Sequence, residues 1–170
     1  MSRRLIVGLG NPLAGDDGFG PAVLRQLDRE GDLPEDVALV PTCTDLLGLL
    51  DVLERYETVV LVDALVGGDR PAGQVAVLEE STILTWRARS TSVHRLSPVE
   101  ALRVFRTLHP EAKTTVTLVA LHTDASGREP VHARPDAIGE GARLVRAALA
   151  GISEPAGKGE PPSPRRRSTD

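Results

Sequence analysis

The sequence predicts a three-layer α/β/α domain, with helices on both faces of a largely parallel sheet. Two observations predict it. Short apolar runs at Leu5–Val7, Val37–Val40, Thr58–Val62 and Thr115–Leu121 alternate with stretches of helical period. Thr58 to Val62 is also β-branched and continuously apolar, as in a strand covered on both faces.

Leu5-Ile6-Val7 reads as a short buried strand stopped by Gly8 and Gly10. Pro21 follows near a helix start, where its missing N–H is harmless, and Phe19, Val23 and Leu27 form one apolar stripe. Val37 to Val40 is the second strand, and a helix through Leu46, Leu50 and Leu53 follows. The third strand, Thr58 to Val62, ends in Asp63-Ala64. A Gly67-Gly68 turn leads to Gln74–Leu78, a returning antiparallel strand, and Glu80 to Val93 has no clear period and reads as a loop. Ser97-Pro98-Val99-Glu100 is a capping box with proline at the first helical position, and Leu102, Phe105 and Leu108 supply the buried face behind it. Thr115 to Leu121 is the last strand, and Pro135 opens a final helix with Ile138, Ala142, Val145 and Leu149 on one face. Residues 1–152 are expected to form one domain. From Ser153 to Asp170, Pro, Gly, Ser and an Arg165-Arg166-Arg167 run dominate, a tail composition that buries too little surface to order itself.

Composition narrows the function. Aromatics are 2% of the 170 residues, too few for a surface that stacks nucleic-acid bases. The tail carries four basic and three acidic residues, which leaves the body at 16 basic and 21 acidic, a net charge of −5 that repels phosphate backbones. No nucleic-acid partner is expected. Cys43 is the only cysteine, so neither an internal disulfide nor a thiolate cluster can form. The opening Met1-Ser2-Arg3-Arg4 precedes too few apolar residues for a signal peptide or membrane span, so a soluble cytoplasmic protein without a membrane partner is the expectation.

Parallel sheets gather functional groups at the carboxyl ends of their strands. The first such end carries Gly8-Leu9-Gly10-Asn11-Pro12-Leu13-Ala14-Gly15-Asp16-Asp17-Gly18-Phe19-Gly20. A dinucleotide loop fails here: Leu13 stands where the third glycine belongs, and two carboxylates would repel a pyrophosphate. One acid suffices to cap the following helix, so Asp16 is assigned that structural role and Asp17 a ligand role. Asp63, directly after four apolar strand residues, is either held by backbone N–H groups or offset by a cation. Among the histidines, His109 reads as a helix C-cap, His132 as solvated, and His122 as a second-rank candidate at a strand end. His94 sits in a long loop just ahead of the Ser97 capping box, a reasonable way to place one imidazole. Two carboxylates and one imidazole with open positions suit a borderline divalent ion.

With these residues in view, the chain resembles the hydrogenase maturation endopeptidases over roughly its first 150 residues, the length of one compact domain. The resemblance rests on Gly8-x-Gly10-Asn11-x4-Asp16-Asp17-x2-Gly20, on Val62-Asp63-Ala64 and on Ser92-x-His94, in matching order and spacing. It implies a phosphorylase/hydrolase-like fold whose five-stranded mixed sheet has one antiparallel strand. By resemblance Asp17, Asp63 and His94 are the metal-binding and catalytic residues. The metal is nickel carried by the partner, the large-subunit precursor of nickel-iron hydrogenase, whose C-terminal extension is removed once nickel is inserted. The isolated protein is then expected to have an empty site. Family members often carry Glu where this chain has Asp17, and many have a glycine-rich segment where it reads Pro41-Thr42-Cys43-Thr44-Asp45-Leu46.

Two rivals remain at this level. Leu5-Ile6-Val7-Gly8-Leu9-Gly10-Asn11-Pro12 is also similar to the opening of peptidyl-tRNA hydrolases, but that family needs a His-Asn pair and a basic face where this chain has Asp16-Asp17 and an acidic body. A non-enzymatic nucleotide- or metal-binding module would explain the glycine loop and leave Asp63 and His94 unused. No serine or cysteine protease set stands out, so water attack aided by the captured nickel, with Asp17 or Asp16 as a candidate base, is the expected chemistry.

Overall fold

The strands of the computed structural model follow the apolar runs. It describes residues 3–43, 45–66, 70–86, 97–124 and 134–151. The strands are β1 (Arg4–Leu9), β2 (Val37–Cys43), β3 (Thr58–Val66), β4 (Val75–Glu79) and β5 (Thr115–Thr123), and they form one sheet in the order β2-β1-β3-β5-β4. All neighbours are parallel except β4, which runs antiparallel to β5. The helices are α1 (Phe19–Glu30), α2 (Leu50–Leu53), α3 (Glu80–Thr85), α4 (Pro98–Leu108) and α5 (Pro135–Leu149).

Alternation along the strands splits the core into two. Leu5, Val7, Val59, Leu61, Val116 and Leu118 face α2, α3 and α4, whereas Ile6, Val60, Val62, Val119 and Leu121 face α1 and α5. The expected three layers and the single antiparallel strand are therefore present. The capping box at Ser97 is complete, with the Ser97 side chain accepting from the Glu100 N–H and the Glu100 carboxylate accepting from the Ser97 N–H at 2.9 Å.

Three local expectations are corrected. Glu80–Thr85 is a helix rather than loop, because Ile83 is fully buried against the sheet and Glu80 pairs with Arg106 of α4. Beyond Trp86 the expected loop lies outside the described residues, as do the Gly67-Gly68 turn and the tail. Leu108 is 63% exposed, since the last turn of α4 runs past the core and the partly buried Val104 packs there instead. Finally, β3 does not stop at Asp63. It continues to Val66 because Asp63, Ala64, Leu65 and Val66 pair with Ala120, Leu121, His122 and Thr123 of β5.

One close contact sets the geometry of the β1–α1 connection. A Cβ built on Gly20 would lie 2.4 Å from the carbonyl oxygens of both Leu9 and Val62, and one on Gly8 would lie 3.0 Å from the Gly20 carbonyl. The first turn of α1 thus rests directly on the backbones of β1 and β3. All the close atoms are backbone, so none can step aside. Gly20→Ala is predicted to lower unfolding stability by about 1–3 kcal/mol through overpacking. Gly139→Ala in α5, where nothing lies within 4 Å of the added methyl, is predicted to raise it by up to about 1 kcal/mol. Urea titrations of the two variants measure both.

Candidate functional site

The strand order places a switch point between β1 and β3: the chain leaves β1 toward β2 on one side, then crosses back to β3 on the other. Such points open a crevice at the carboxyl ends of the strands. Here β1 and β3 stay paired as far as Gly8 and Val62. Asp63 is the first β3 residue beyond that last pair, and it still has β5 on its far side. A carboxylate is therefore held inside a strand, at the floor of the switch-point crevice.

Asp63 is 7% exposed. Its Oδ1 accepts one hydrogen bond, from the Ala64 N–H at 2.8 Å. Burial pushes its pKa up to about 7, the Ala64 N–H opposes the rise, and the nearby Asp17 carboxylate adds to it. The Gly15–Gly18 turn that carries Asp17 packs against β3, and Asp17 lies within electrostatic reach of Asp63.

Asp17 reaches the crevice through a tightly bonded loop. Gly10, at φ 112°, turns the chain out of β1, and Asn11 folds it into an Asx turn by accepting from the Leu13 N–H at 2.9 Å. The Ala14 N–H donates to the Asn11 carbonyl, and the Asp17 N–H donates to the Ala14 carbonyl, both at 3.0 Å. The loop closes where the Asn11 N–H donates to Asp17 Oδ2 at 2.8 Å. A Cβ on Gly10 would overlap the Asp17 carbonyl oxygen at 1.9 Å, so this turn requires glycine twice over.

Asp16 is a correction. It does not cap α1: the N-cap position is Gly18, and no side chain caps the helix there. Instead its carboxylate turns inward, is 3% exposed, and accepts from Arg134 Nε at 3.1 Å. Arg134, just before α5, was not singled out from sequence; an isolated arginine ahead of Pro135 carries no signal of so distant a partner. The ion pair also argues against Asp16 as the catalytic base, because its lone pairs are already engaged with a guanidinium.

His122 is fully buried on β5, paired in register with Leu65. By strand alternation it shares a sheet face with Asp63 on the neighbouring strand. Its ring packs on Trp86, with centroids 5.7 Å apart and planes at 56°. His109 stands at the C-cap of α4 as expected and pairs with Glu54 at 2.6 Å, away from the crevice. His94 and His132 lie outside the described residues, as does the Cys43 side chain. Among the described residues, no group of three His, Cys, Asp or Glu side chains could hold a metal ion. Of the residues singled out from sequence, the structure thus brings Asp17 within electrostatic reach of Asp63.

The family model for hydrogenase maturation proteases (HycI) matches residues 21–130, a span that holds Asp63, His94 and His122. The chain belongs to the hydrogenase maturation protease family. It is 31% identical over 93 residues to the hydrogenase expression/formation protein HupD of Rhodobacter capsulatus, covering 55% of this chain and 44% of that one. It therefore spans less than half the length of that relative. With the HupD of Rhizobium leguminosarum bv. viciae it shares 27% identity over 168 residues, 94% of this chain and 83% of the relative. The hydrogenase maturating endopeptidase HybD from E. coli has the same fold, with a TM-score of 0.67 at 22% identity over 88% of this chain and 93% of that one. The five-stranded mixed sheet is accordingly the fold of hydrogenase maturation proteases, and the Asp17 loop precedes the span that the family model matches.

The raised pKa of Asp63 makes a signed prediction for this family member. Native Asp63 takes up its proton near pH 7, whereas the unfolded chain does so near the ordinary aspartate value of about 3.9. Between these values the native state binds more protons, so the contribution of Asp63 to stability is full below pH ~4 and is lost as pH rises through about 7. Asp63→Asn removes that dependence. The variant is expected to be more stable than the parent at pH 8, by up to about 4 kcal/mol, and to converge with it in acid. Denaturant unfolding of both proteins across this pH range measures the difference.

Proposed function

We propose that this chain is an endopeptidase that recognises nickel already seated in a nickel-iron hydrogenase large-subunit precursor and removes the precursor's C-terminal extension. Membership of the hydrogenase maturation protease family supports this reading. The observation that carries it is the pair of acids, Asp17 and Asp63, within electrostatic reach of one another at the β1/β3 switch point. Two acids left together in a crevice are costly, and a divalent cation relieves the cost.

On this reading Asp17 and Asp63 grip the substrate's nickel from the strand side, and His94, in the segment between Trp86 and Ser97, supplies an imidazole. Oxygen and nitrogen ligands of this kind suit nickel, and three of them leave positions for the substrate's own ligands. A site built to receive an ion already held by another molecule gains selectivity from being incomplete alone. Nickel-free precursor offers too little for it to hold.

The chain's residues then serve hydrolysis in two ways. Asp63, with its proton exchanging near pH 7, gives that proton up as the cation arrives. The ion that Asp17 and Asp63 hold lowers the pKa of the attacking water, whose proton passes to solvent, so both acids serve hydrolysis through the ion rather than as free bases. Asp17 and Asp63 would thus combine metal capture with the catalytic role. No helix among the described residues is long and apolar enough to cross a membrane, which suits a cytoplasmic reaction on the precursor.

Incubating the full chain with nickel-loaded and nickel-free precursor tests the reading. Shortening is expected with the loaded form alone. Asp17→Ala, Asp63→Ala and His94→Ala are each expected to slow it by about 10–100-fold or more, the cost of losing a metal contact. Equal shortening of both precursor forms, or full activity in all three variants, would overturn it.

A further inference from the structure

Apolar side chains left in water are informative when they gather at one end of a fold rather than scatter over it. Among the described residues, the large hydrophobic side chains that stay exposed are Leu13 at 92%, Leu108 at 63% and Leu47 at 36%. Leu13 and Leu47 stand at the carboxyl end of the sheet. Leu9 and Cys43 are the last paired residues of β1 and β2, and each leucine lies four residues beyond the end of its own strand. Leu108 stands at the opposite end, because the next residue, His109, pairs with Glu54 just ahead of β3.

Local structure holds both leucines in place. Leu13 is the middle of an exposed apolar run, Pro12-Leu13-Ala14, and such a run on a surface is a fault unless something uses it. Asn11 closes the loop that presents it. Its side chain accepts from the Leu13 N–H at 2.9 Å, its carbonyl accepts from the Ala14 N–H at 3.0 Å, and its own N–H donates to Asp17 Oδ2 at 2.8 Å. The exposed tip and the Asp17 end of the loop are thereby tied to one residue. Leu13 is four residues from Asp17, at most about 14 Å along the backbone. Leu47 lies in the 3-10 turn Leu46–Leu49, where Leu46 turns inward at 5% exposed and Asp45 accepts from the Leu47 N–H at 3.0 Å. Neither Leu13 nor Leu47 belongs to either half of the core, so burial within the chain does not account for them.

We propose that Leu13 and Leu47 are docking anchors that pack against apolar surface on the protein delivering the ion to Asp17 and Asp63. This rests on the reading that the chain acts on a nickel-loaded precursor. Two anchors on separate loops need a partner wide enough to meet both, which a free ion or a small metabolite is not. The acidic body repels a phosphate backbone. A folded protein with apolar surface beside its metal is the partner that fits. The anchors touch it away from the reacting atoms, so they contribute equally before and during bond cleavage. Binding of that kind lowers KM and leaves kcat alone.

The test uses the full chain with nickel-loaded hydrogenase large-subunit precursor. Shortening rates give KM and kcat, brief co-precipitation in the cold gives Kd, and thermal melts check folding. Leu13→Ser is expected to raise KM and Kd by about tenfold or more, the affinity that one newly buried leucine carries. Leu47→Ser, with less surface left to bury, is expected to raise them by about threefold or more. Both should keep kcat within about twofold of the parent. Leu13→Met retains an apolar side chain of similar volume and is expected to stay within about threefold of the parent. Leu108→Ser is expected to change nothing. Should Leu47→Ser fail to fold, Leu13→Ser decides alone. Parental KM and Kd in Leu13→Ser, a loss confined to kcat, or an equal loss in Leu108→Ser would each overturn the proposal. If the parent shortens the precursor and Leu13→Ser matches it, the anchors fall and the protease reading stands. If the parent binds without shortening and the order of Kd holds, the anchors stand and the protease reading falls. A parent that neither binds nor shortens overturns both.

Discussion

A carboxylate held inside a strand that is covered on both faces is the constraint on which the rest of this structure turns. Asp63 follows Val59, Val60, Leu61 and Val62, all fully buried, and continues the strand beside β5. An ionised acid in such a place costs several kcal/mol unless something offsets it. The relief within the fold is small: one N–H from the next residue, with a second acid nearby making matters worse. The isolated chain meets the cost by keeping Asp63 largely protonated up to neutrality. On the proposed function a guest cation would meet it instead by bringing positive charge. Acids perturbed in this way cluster at functional sites.

The surrounding fold serves to keep that arrangement in place. Gly8 and Gly20 let the first turn of α1 sit directly on the ends of β1 and β3, so the Asp17 loop has little room to drift. The hydrogen bond from Asn11 to Asp17 closes the loop on itself. Glycines that resemble a nucleotide-binding motif in sequence thus work as packing surfaces, and the acids beside them are what the crevice presents. The ion pair between Asp16 and Arg134 ties the same loop to the residue before α5.

Much of this was legible before any coordinates. The four parallel strands were marked by buried apolar runs, and the antiparallel return strand and the capping box by local patterns whose physics is short-range. Pairing Asp17 with Asp63 was also within reach, because each follows a strand run and strands of one parallel sheet end on one side. The misreadings have a common cause in tertiary contacts. Whether β3 stops at Asp63 depends on β5, which pairs with it through Val66. The helix Glu80–Thr85 has too few residues to show a period and is held by Ile83 and Arg106. Asp16 looked like a helix cap because its partner lies 118 residues away. Periodicity carries no information about a contact of that range.

The central claim is that Asp17, Asp63 and His94 converge on one ion, and crystals soaked in Ni(II) and measured at the nickel absorption edge test it most directly. A single anomalous peak is predicted at the β1/β3 switch point, within about 2.0–2.2 Å of a carboxylate oxygen from each acid and of an imidazole nitrogen of His94, the usual range for such ligands. A peak bound elsewhere, or a His94 ring directed away from both acids while nickel occupies the crevice, would contradict it.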